Sequence, residues 1–250
     1  MRNLGKDQRL RFLESNLEHV LFKTNGWLAN DHALTHLKGG LVARHYVLRH
    51  CREYLERTCF SSRESVLSPY IATEAALHLN GYYLNLRGAL DNLAWILQFE
   101  LNLFPGVTES SGAKMKIHLF GDRFLHALHT KSPRHEPHVL SLKEWGLDLA
   151  TLRDPAAHRI PLYVPPGVIT SQKQQDEFKR LDALSGAPQQ ELKGKRRIEI
   201  MHEARSVATF EPVFCITSTD GMKVFGIAKQ ILSDHCRYVH LVRKVLESFR

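Results

Sequence analysis

No stretch of this 250-residue chain approaches the roughly 20 consecutive apolar residues that a bilayer-spanning helix requires. The opening residues, MRNLGKDQRLRFLE, lack the apolar core of a secretory signal, so the expectation is a cytoplasmic protein with no membrane attachment. Cysteine is scarce. Cys51, Cys59, Cys215 and Cys236 show no CxxC spacing, and a chain of this length does not need disulfide staples. Cys51 and Cys236 fall on helical apolar stripes and read as buried, reduced thiols. Also missing are a glycine-rich phosphate loop, a dinucleotide fingerprint, a nucleophile elbow and a His-Glu-x-x-His pair. Histidines do recur at short spacing, as His32 with His36, His126 with His129, and His135 with His138. Only one Glu-x-x-His exists, Glu199 to His202, where a carboxylate-bridged di-metal bundle needs two. No metal and no cofactor are expected. No internal repeat or low-complexity tract is present.

What is present is an ordinary globular composition, 43% hydrophobic and 24% charged, with a formal net charge of +8. That excess draws polyanions, RNA among them, independently of base sequence.

Helical periodicity dominates the first 100 residues. Leu10, Leu13, Leu17, Val20 and Leu21 form one stripe, and Leu34, Leu37, Leu41, Leu48, Cys51 and Leu55 a second, separated near Asn25 and Gly26. Ser68-Pro69 reads as a helix cap followed by proline in the first turn. From Tyr70 to about Phe104 the chain is apolar nearly all round, as a long central helix buried on several sides would be, ending at Pro105-Gly106. Helices are expected from about Phe120 to His129 and from Leu140 to Arg153, split by KSPRHEP. Ser171 to Leu184 is a polar helical segment, and SGAPQQELKGKRR a loop. Thr209 to Thr217 and Met222 to Ile227 flank a turn and read as a β-hairpin, with Ile160 to Val164 as a third short strand. A last helix spans about Lys229 to Phe249. The fold class is mainly α, an antiparallel helical bundle with a small C-terminal β-hairpin. Residues 1–166 form the bundle, and residues 167–250 an accessory segment packed on it.

The stretch TLRDPAAHRIPLYVPP, Thr151 to Pro166, carries the candidate chemistry. Pro155 lacks an N–H and disfavours helical backbone at Asp154, so the helix is expected to stop near Arg153, with Asp154 capping a new turn that presents His158. In an unbroken helix, positions five apart lie about 140° from one another. A break would let Arg153 and His158 face one phosphate, the first as a fixed cation, the second as a proton carrier. Metal-free RNA cleavage needs those two functions.

Arg153-Asp154-Pro155-Ala156-Ala157-His158, an Arg and a polar residue followed after three positions by His, resembles the shortest form of the HEPN superfamily motif. LRGALDNLAW, Leu86 to Trp95, is similar to the helix beside that motif. The resemblance covers about residues 30 to 165. It implies a HEPN-like bundle, homodimerisation and, in many members, metal-independent endoribonuclease activity in toxin or defence systems, with an antitoxin or other regulatory protein as partner. It gives Arg153 phosphate contact, His158 proton transfer and Asp154 an orienting role. The tyrosine found two residues after the histidine in one toxin subgroup is replaced here by Ile160. The alternative is a non-catalytic HEPN-like module that dimerises or binds RNA or protein. Arg87 and Asp91, four apart on the central helix, either support Arg153 and His158 or form a polar network between helices. Arg159, Lys193, Lys195, Arg196 and Arg197 are the candidate nucleic-acid contacts.

Overall fold

The computed structural model describes residues 6–158, 160–185, 196, 198–200, 202–203, 207–218 and 221–250. Helix α1 (Lys6–Thr24) is followed by a turn at Gly26 and by Asn30, whose side chain accepts from the His32 and Ala33 amides and so starts α2 (Asp31–Thr35). The chain then widens into one π-helical stretch, His36–Val42, and tightens again as α3 (Ala43–Cys59). Ser68 caps α4 (Pro69–Leu101) by accepting from Ile71 N, with Pro69 in the first turn as the sequence predicts.

Helix α4 stops three residues before Pro105-Gly106 would require. Asn102 adopts the left-handed conformation at φ 48°, and the Gln98 side chain ties down the Phe104 amide and the Phe104 and Val107 carbonyls. The KSPRHEP interval separates two helices as expected, but a short additional helix begins at its end. Helix α5 (Asp122–Lys131) is followed by α6 (Glu136–Leu140), which has Pro137 in its first turn.

Helix α7 (Lys143–His158) corrects the expected stop at Arg153. It runs unbroken through Asp154 and Pro155, so Asp154 does not cap a second turn. Proline in that place removes a single i to i−4 bond near the helix end, and two alanines, the strongest helix formers, follow it. Upstream turns are anchored by buried Trp145, Leu149 and Leu152.

Helix α8 (Gln172–Ser185) matches the polar segment. Strands β1 (Val213–Ser218) and β2 (Gly221–Gly226) pair antiparallel from Val213 opposite Gly226 to Ser218 opposite Gly221. Ile160 to Val164 is not a third strand. Only Tyr163 pairs, exchanging backbone hydrogen bonds with Cys215 at 3.1 and 2.8 Å, because Pro161 and Pro165 on either side have no N–H to extend the ladder. The chain closes with α9 (Ile227–Glu247).

Helices α1 and α3 run antiparallel, since Glu18 meets Arg49 while Glu14 meets Arg52. So do α3 and α4, where Arg44 meets Asn85 and Tyr54 meets Glu74. Tyr82, Leu86, Ala89 and Leu93 of α4 share one core with Tyr238, Val239, Val242 and Val245 of α9 and with Trp145, Leu149 and Leu152 of α7. The four cysteines are free. No helix among the described residues is long and apolar enough to cross a membrane.

Candidate functional site

The candidate site stands on the C-terminal turns of α7, and three devices fix that helix. Trp145 Nε1 donates to Asp234 Oδ1 of α9 at 2.9 Å, within the core. Asp234 Oδ2 also accepts from Tyr83 of α4 and Gln230 of α9, each at 3.0 Å. Burial pushes the Asp234 carboxyl above its usual range, and these donors offset part of that shift. Gly146 supplies the third device: a Cβ there would sit 2.1 Å from the Phe120 ring, so only glycine lets α7 approach this closely.

At the far end, Arg153 Nη1 donates to Asp154 Oδ1 at 3.1 Å, and both side chains are partly exposed. Arg153 sits in the last turns, where the exposed carbonyls of a helix favour a cation. The segment leaving the motif is clamped to α4 by Asn80. Its Nδ2 donates to the Leu162 carbonyl at 2.9 Å and its Oδ1 accepts from the Leu162 amide at 3.0 Å. Beyond the clamp, Ile160, Tyr163, Leu77 and Phe178 wall an open, mainly apolar cavity of about 1520 Å³.

Of the residues singled out in the sequence, Arg153 and Asp154 are brought together. The helix places His158 five positions from Arg153, about 140° around the axis, and the His158 side chain lies outside the described structure. Arg87 Nε meets Asp91 Oδ1 at 3.3 Å. Burial, and then the Arg87 charge, lower the pKa of the nearby His118 imidazole. Arg196 is paired with Glu199 at 3.3 Å. Arg159, Lys193, Lys195 and Arg197 lie outside the described residues. Among the described residues no three His, Cys, Asp or Glu side chains are grouped to hold a metal.

The chain matches no protein-family model, no curated protein and no solved structure. The HEPN resemblance therefore rests on Arg153 to His158 and on the neighbouring helix. Asn80, Asp234 and Gly146, which position the motif, were not singled out in the sequence. Asn80 and Leu162 are 82 residues apart, and no local pattern announces that clamp.

Proposed function

We propose that this chain is a HEPN-like helical protein that acts on RNA as a homodimer and cleaves it without metal, by attack of a 2'-hydroxyl on the adjacent phosphodiester. His158 serves as general base or acid, Arg153 stabilises charge on the phosphorane-like transition state, and Asp154 positions the guanidinium. The observation that supports a divided site is the unbroken α7. With Arg153 and His158 on different sides of one helix, each phosphate takes the arginine of one copy and the histidine of the other.

Purified protein should cleave RNA in EDTA, and Arg153→Ala and His158→Ala should each abolish cleavage. Mixing the two inactive variants then restores about a quarter of the activity, because half of the randomly formed dimers carry one intact site of two. No cleavage by the unaltered protein would overturn the enzymatic reading. No recovery on mixing, with the unaltered protein active, would place both residues in one chain's site.

One contact favours a non-catalytic RNA- or protein-binding module instead. Asp154 already occupies one guanidinium nitrogen of Arg153, leaving less of that cation for a phosphate. That reading expects RNA binding without cleavage.

A further inference from the structure

A second polar site, separate from the α7 motif, lies on α4 where the π-helical stretch and α3 cross it. The groove there measures about 550 Å³, and its polar lining is Thr35, His36, Arg44, Asn85 and Asn92. No carboxylate lines it. A π-helical turn carries an extra residue, widens the backbone and recurs at functional sites; here it places Gly39 and Gly40 in the groove wall.

Two glycines make room for the polar side chains. A Cβ at Gly40 would fall 2.0 Å from Asn92 Oδ1, and one at Gly88 would fall 2.5 Å from Arg44 Cζ. The Arg44 guanidinium thus lies against the backbone of α4. Its one hydrogen bond goes to a neutral acceptor, Asn85 Oδ1, at 3.1 Å, and among the described residues it has no carboxylate partner. Among the described residues, that leaves four of its five N–H donors for a ligand. His36 is held beside it, with Nδ1 3.0 Å from Asn92 Oδ1 and Nε2 2.7 Å from Glu109 Oε1, and stacks on Trp95 with ring centroids 5.7 Å apart. A fixed, half-buried guanidinium that has no carboxylate partner among the described residues suits a planar or tetrahedral oxyanion, the nearby Glu109 carboxylate being engaged by His36. The chain's net charge favours phosphate as its source.

We propose that Arg44, together with the Asn85 and Asn92 amides around it, forms a phosphate-binding site that takes either a free phosphate ester or a phosphate of an RNA strand.

The test exploits Gly88. Gly88→Ala keeps every charge but displaces the guanidinium, the flexible end of Arg44, whereas Arg44→Gln removes the charge. Inorganic phosphate, AMP and an RNA pentamer without terminal phosphates are titrated at constant ionic strength, with the Gly39 and Gly40 amide resonances as readout. The expected result is saturable binding that weakens about tenfold or more in both variants, as loss of a charge-assisted bidentate contact would give. Tighter binding of phosphate and AMP identifies a free ester as the ligand; tighter binding of the pentamer identifies the strand. Absence of any saturable shift, or an Arg44→Gln or folded Gly88→Ala protein that binds as the unaltered one does, overturns the site.

Discussion

Glu14 of α1 receives Arg52 of α3 in a two-pronged ion pair, Nε to Oε1 and Nη2 to Oε2 each at 3.2 Å, with both side chains almost wholly buried. His235 of α9 reaches the same carboxylate at 2.8 Å. Burial alone would raise the Glu14 carboxyl, but His235 and Arg52 outweigh it and hold the group below its usual range. Glu14→Gln should therefore destabilise the protein by about 3 kcal/mol in urea unfolding, because it leaves a buried guanidinium with Glu56 as its main remaining partner.

Stability should also fall on mild acidification. Burial lowers the His45 and His135 imidazoles to about 4. The unfolded chain binds protons at these residues near pH 6.5 and the folded chain does not. Their contribution is therefore full above about pH 6.5 and is lost as the pH falls toward 4, with a combined slope of up to about 2.7 kcal/mol per pH unit. Urea midpoints at pH 7, 6 and 5 measure the slope, and His45→Asn and His135→Asn should each lower it by up to about 1.4 kcal/mol per pH unit.

Asn80→Ala should release the segment that follows the motif. The variant loses two hydrogen bonds to Leu162, costing about 2 kcal/mol, and the Leu162 amide should exchange with solvent much faster while amides in the middle of α4 stay protected. Equal exchange in both proteins would mean that the Tyr163–Cys215 pairing holds the segment by itself.

Pro155→Ala tests the unbroken helix. Restoring a donor toward the Thr151 carbonyl within a helix that already exists should stabilise the protein by about 1–3 kcal/mol, seen as a raised melting temperature. If α7 were broken at this residue in solution, the substitution would bring little or no such gain.

The apolar stripes announced α1 and α3, because burial of one helical face leaves a period that any reader of the sequence can count, and the near-continuous apolar run announced α4. The π-helical turn did not disturb that count: Leu37 and Leu41 are four apart and both buried, as an ordinary turn would have them. At Asn102 the stop comes from left-handed backbone and the Gln98 side chain, and the proline-glycine pair that looked decisive lies beyond it. Pro155 misled for the opposite reason. Its local preference against helix is real, but the packing of Trp145, Leu149 and Leu152 fixes the helix before the proline is reached. The candidate motif was legible as residue types in order. Its supports were not, since Asp234 and Asn80 act on α7 and its exit from other helices, and Arg44 offers no pattern at all until Gly88 is seen beneath it.

Because α7 is continuous, Arg153 stands on the same rigid rod as Trp145, eight residues and about 12 Å away. The indole is moored to Asp234 at the far end of that rod. A small tilt about this mooring is magnified at the tip, so a change deep in the bundle that does not touch the motif re-aims the arginine.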